Sequence, residues 1–190
     1  MINSPLTVIF MMVVNLAMLI IFIRFMFQFA QIDPKHPYSK AIYGISAVVT
    51  VFQRIFPDLA GGRISLSAIV LLLLLTYIKI AGLAGIHGEH LTPLVLFFRG
   101  TLQAILMLVT ALKYIVFAGV ILSWVILLSN KIHPAMEIIM EMAEPIIAPF
   151  RRFTPNLGMI DLSTLVALLA LGLIETIIEV VGANILQQLM

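Results

Sequence analysis

Apolar residues fill four long blocks of this chain, set apart by two long polar stretches and one short one. A helix that crosses the hydrocarbon layer takes roughly 20 mainly apolar residues. Four blocks reach that length, at about Leu6–Phe29, Leu66–Gly85, Thr101–Leu128 and Leu162–Val181. The pattern predicts four transmembrane helices. The segment LTPLVLFF before Arg99 is too short to cross and reads as a separate interfacial piece.

The polar stretches carry their own periodicity. In PAMEIIMEMAE, Glu137, Glu141 and Glu144 share one helical face, with Met136, Ile139, Met140 and Ala143 largely opposite. Such a pattern describes an amphipathic helix lying in the membrane surface. In the first loop, Ile42, Ile45, Val48, Val49, Phe52 and Ile55 also recur at helical spacing. A helix packed on the transmembrane bundle would give the same pattern, so both placements stay open.

Composition agrees with lipid as the solvent. The chain is 62% hydrophobic and 11% charged, against about 45–50% and about 25% for soluble domains. A formal net charge of +2 gives no ground for nucleic-acid binding. Cysteine is absent, which excludes disulfides, thiolate metal sites and thiol catalysis. The amino terminus lacks the basic flank and small-residue cleavage site of a signal peptide, so its first apolar run is expected to remain as a span.

Basic residues set the expected orientation. Lys35, Lys40, Arg54 and Arg63 lie between spans one and two, and Lys131, Arg151 and Arg152 between spans three and four. Both long loops are therefore expected in the cytoplasm, with both termini on the opposite side.

The chain also repeats itself. His36-Pro37 matches His133-Pro134; Phe52, Arg54 and Pro57 match Phe150, Arg152 and Pro155; Ile64, Leu66 and Ser67 match Ile160, Leu162 and Ser163. Each half then reads as span, interfacial segment, polar elbow, span, which predicts repeats over residues 1–92 and 93–190. Two spans return the chain to its starting side, so the repeats are parallel, with a pseudo-twofold axis along the membrane normal.

AEPIIAPFRRFTPNLGMID followed by an apolar span resembles the YggT (YlmG-like) family of integral membrane proteins, and the earlier half holds a weaker copy. The first copy departs from the pattern, with Ala47 and Val51 in place of Pro145 and Pro149, and Ser65 in place of Asp161. The resemblance implies a non-enzymatic bacterial membrane protein with relatives in plastids. Roles it brings with it are survival of osmotic or potassium stress, placement of division machinery, and cytochrome assembly in plastids.

Charges inside the spans are the sharpest candidates, because a charge in hydrocarbon usually finds a partner or a wet cavity. The repeat register places Lys79 and Glu175 at equivalent depth and predicts an ion pair between them, with Lys113 and Glu179 as a second pair. Such pairs fix helix register, line a polar pathway, or snorkel to the outer surface. Arg151, Arg152 and Arg54 are expected to meet anionic lipid headgroups or a partner protein, or to act only as topology determinants.

Pro145, Pro149 and Pro155 disfavour helix at the residues before them, and together are expected to end the amphipathic helix in an elbow. Asp161, and Ser65 at the matching position, are expected to cap the spans that follow. His87, Glu89 and His90 in GIHGEH are a weak metal signal, and an exposed loop is the simpler reading; no metal or cofactor is expected. Small residues four apart, Ala81 and Gly85 or Gly119 and Ser123, suit close helix packing within the bundle or between subunits.

No nucleophile–base pair or phosphate-cradling loop emerges, so no enzyme is expected. Two functions stay open: a scaffold or assembly factor at the bacterial cytoplasmic membrane, and a potassium-homeostasis or osmotic-stress protein with a small conducting or regulatory role. Four spans enclose only a small pore unless copies associate, which favours the scaffold. Expected partners are membrane lipids, a second copy, or another membrane protein.

Overall fold

A computed structural model describes residues 4–154 and 161–189. The described chain is helical, in the order α1 (Pro5–Phe29), α2 (Pro37–Ile45), α3 (Ala47–Phe52), α4 (Leu66–His87), α5 (Pro93–Ser129), α6 (Pro134–Arg151) and α7 (Leu162–Leu189). Four of these, α1, α4, α5 and α7, are long and apolar enough to cross a membrane. The protein is an all-α membrane protein.

Local chemistry sets the helix ends. Ser4 accepts from the Thr7 amide ahead of Pro5, and Ser65 accepts from the Ala68 amide ahead of α4. Thr92 does the same for Val95, just before Pro93 opens α5. The His36 and His133 rings accept from the amides of Tyr38 and Ala135, so each His-Pro pair caps and starts a surface helix. At the other ends Gln31, Gly88 and Asn130 turn left-handed, with φ of 56°, 70° and 53°. Glycine adopts that turn without strain and asparagine tolerates it.

Two expectations need correction. LTPLVLFF is not a separate piece, because Pro93–Ser129 is one helix of 37 residues. Pro93 sits where a missing N–H costs nothing, and no breaker follows it. At 1.5 Å per residue α5 is about 55 Å long, well beyond a hydrocarbon layer of about 30 Å. Nor do Pro145 and Pro149 end α6, which runs through both to Arg151. Each proline removes one backbone hydrogen bond, but Met142, Ala143, Ile146 and Ile147 are buried on either side and hold both turns in place. Pro155 lies outside the described residues.

The chain divides into two compact units, Met1–Ile105 with Gly182–Met190, and Leu106–Val181. Their boundaries fall inside α5 and α7, whereas position 92/93 falls at the end of the α4–α5 loop.

In the first unit α1 packs along α4. Val14, Met18, Ile21, Phe22 and Phe25 make the buried stripe of α1, and Ala68, Leu71, Leu72, Ile80 and Ala84 that of α4. Met12, Val13, Leu16 and Leu19 stay exposed on α1, as suits a face toward lipid. Gly82 makes the close approach: a methyl group there would fall 2.3 Å from the Phe10 ring. Gly100 lies under Tyr77 and Gly182 under Leu102 in the same manner.

The second unit joins the middle of α5, all of α6 and the first two-thirds of α7. Val116, Ile138, Met142, Ile147, Ala167 and Leu171 are among its buried residues. Gly119 of α5 faces Ala143 of α6, where a methyl group would come within 3.2 Å of the Ala143 Cβ.

Candidate functional site

Buried polar chemistry in the first unit centres on Arg24, which is only 3% exposed. Its guanidinium donates to the Tyr43 carbonyl at 3.4 Å, Ser46 Oγ at 3.4 Å and Thr50 Oγ1 at 3.2 Å. It also lies 4.2 Å from the centre of the Tyr43 ring, within cation–π range. The acceptors come from α2 and α3, which break at Ser46, whose hydroxyl donates back to the Ile42 carbonyl at 2.5 Å. One basic residue of α1 thereby ties down the whole surface segment. Sequence reasoning passed over Arg24, although a charge in an apolar run is itself a signal.

In the second unit Lys113 of α5 forms an ion pair with Glu175 of α7, and Thr110 donates to the same carboxylate. Thr110 and Lys113 stand three apart on one face of α5, so both reach Glu175. Side-chain exposures are 30% for Lys113 and 14% for Glu175. Within this unit the partner of Lys113 is therefore Glu175, where Glu179 was expected. Equal depth does not make two side chains face one another; the α5 and α7 faces that meet decide it. Lys79 is half-buried and makes no ion pair among the described residues of its own unit, and Glu179 is exposed.

The elbow holds a second charged group. Arg151 bridges Glu144 and Asp161, the latter at 3.4 Å. Asp161 Oδ1 also accepts from the Ser163 amide at 2.9 Å, as a helix-capping carboxylate does. Burial opposes ionisation of Asp161, but its bonds to Ser163 and Arg151 together hold the carboxyl below its ordinary 3.8. Burial likewise works against the Arg151 charge, and Glu144 and Asp161 outweigh it and raise the guanidinium further. Thr154 and Ser163 share a hydrogen bond of 2.6 Å, and Ser67 donates to the Phe56 carbonyl at 2.8 Å, so both elbows are pinned to the span that follows. Arg152 and Arg54 are exposed and make no ion pair among the described residues.

Beside this group the second unit encloses a cavity of about 360 Å³. Val120, Trp124, Ile147, Leu165 and Leu168 give it an apolar wall, Ser123 and Thr164 add hydroxyls, and Glu144, Arg151 and Asp161 form its exposed edge. What it offers is shape, apolar surface and a fixed set of charges.

Residues 98–182 match the CCB3/YggT family. An uncharacterized protein of Haemophilus influenzae is 31% identical over 160 residues, covering 84% of this chain and 83% of its own. An uncharacterized protein of Pseudomonas aeruginosa is 31% identical over 170 residues, covering 86% and 83%. The uncharacterized protein YggT of Escherichia coli is 25% identical over 174 residues, covering 90% and 88%. No solved structure matches the chain. With relatives this similar over most of its length, and the family match spanning the elbow and the last transmembrane helix, the chain belongs to the YggT family.

Proposed function

We propose that this protein is a non-enzymatic scaffold or assembly factor of the bacterial cytoplasmic membrane. One observation carries the reading: each unit holds one buried or half-buried basic residue of its spans, Arg24 or Lys113, on internal partners, and presents basic and apolar side chains at the end of its surface segment. Arg24 is spent on Tyr43, Ser46 and Thr50, and Lys113 on Glu175. The α3 and α6 ends instead present Arg54, Ile55, Arg152 and Phe153, with Phe153 84% exposed. Basic and apolar groups side by side suit anionic headgroups together with the apolar surface of a partner. The basic residues of both long loops favour a cytoplasmic position for these ends, with both termini outside. A carboxy-terminal reporter active only in the cytoplasm would reverse that orientation.

A second reading, in potassium homeostasis, is favoured by the Lys113–Glu175–Thr110 cluster within the spans. Reconstitution in liposomes separates the two. The scaffold reading expects potassium flux no greater than in empty vesicles, and a stable membrane-protein complex captured with the wild type but not with an Arg152→Gln, Phe153→Ser variant. Flux that is lost on Glu175→Gln would overturn it in favour of ion handling.

A further inference from the structure

Val120, Met140, Ala143, Ile147, Leu165 and Leu168 give the cavity of the second unit a mainly apolar wall, so the part of an occupant that lies against it is apolar.

The edge asks for something different. Glu144, Arg151 and Asp161 leave one negative charge in excess, and Arg151 is already held by both carboxylates. Ser65 stands at the position of Asp161 in the first copy, so this acidic edge belongs to the second unit alone. A purely anionic headgroup meets net repulsion here. A headgroup with both a phosphate and a primary ammonium matches the set: the ammonium donates to Glu144 and Asp161, and the phosphate accepts from Arg151. A quaternary ammonium has no N–H to donate, and a single ring, Trp124, does not make an aromatic cage.

We infer that this cavity binds one phospholipid with an ethanolamine-type headgroup, an acyl chain lying against Ile147, Leu165 and Leu168 and the headgroup on the Glu144–Arg151–Asp161 edge. The assignment holds whether the protein organises partners or handles ions.

Trp124 is the only tryptophan in the sequence and lines the cavity, so its fluorescence reports occupancy. Purified full-length protein in detergent is titrated with short-chain phosphatidylethanolamine, phosphatidylcholine and phosphatidylglycerol. The expected result is a saturable change at a concentration about tenfold lower for the ethanolamine lipid than for the glycerol lipid. Glu144→Gln and Asp161→Asn should each erase that preference, because each leaves the edge with no net charge and one carboxylate fewer to accept from the ammonium. Val120→Phe, which fills the cavity, should abolish the response while the melting temperature is retained. An equal response to all three lipids, no saturable response, or an undiminished response in a folded Val120→Phe variant would each overturn the assignment.

Discussion

Lys113 and Glu175 meet across α5 and α7 inside the apolar spans of the second unit, and Thr110 donates to the same carboxylate. Removing one member leaves the other charged in an apolar setting or forces it to change protonation. Lys113→Glu and Glu175→Lys should each lower the melting temperature in detergent by several degrees. The double swap should recover most of that loss. Lys79→Met should cost far less, since Lys79 makes no ion pair within its unit. Equal losses for Lys79→Met and Lys113→Met would contradict the pairing.

Arg24 serves the first unit as an anchor for α2 and α3. Its loss strands the Ser46 and Thr50 hydroxyls and the Tyr43 carbonyl, and hydrogen bonds to a charged group are worth about 1.5–3 kcal/mol. Arg24→Met should destabilise the protein by an amount of that order, and increase proteolysis or hydrogen exchange selectively over residues 37–52. Arg24→Lys should restore little, because a lysine lacks the planar fork that reaches several acceptors and stacks on Tyr43. Exchange spread evenly over the whole chain would argue against an anchoring role.

Much of the architecture was legible because lipid imposes one strong rule, that long apolar blocks become helices. The starts of α4 and α7 could be placed to within a residue, since Ser65 and Asp161 are capping residues ahead of apolar runs. Proline misled where tertiary contacts outweighed local preference, as at Pro145 and Pro149 inside α6. Ion-pair partners were harder still. Repeat register gives depth, whereas pairing depends on which helix faces meet, and nothing in the spacing of Lys79, Lys113 and Glu175 reports that. The cavity was invisible for the same reason, as its walls come from three helices.

Acid should act on the second elbow in a defined direction. The Asp161 carboxyl is held below 3.8 when folded, so its contribution to stability is complete above the unfolded-state value. It is lost as pH falls through the lower folded value. The difference in melting temperature between wild type and Asp161→Asn should therefore be constant near neutrality and shrink below about pH 4. A difference that grows as pH falls would have the wrong sign for a carboxylate stabilised by Arg151 and Ser163.

One close contact between spans requires a glycine. A methyl group on Gly82 would come within 2.3 Å of the Phe10 ring, so even alanine pushes α1 and α4 apart or forces the ring aside. Overpacking of this kind costs about 1–3 kcal/mol. Gly82→Leu should lower the melting temperature, whereas Gly85→Leu, with open space around it, should be nearly silent. Phe10→Ala combined with Gly82→Leu should be less harmful than the two single changes predict together, because the smaller residue makes room for the larger. Strict additivity, measured by thermal unfolding of all four proteins of the cycle, would show that Phe10 and Gly82 do not touch.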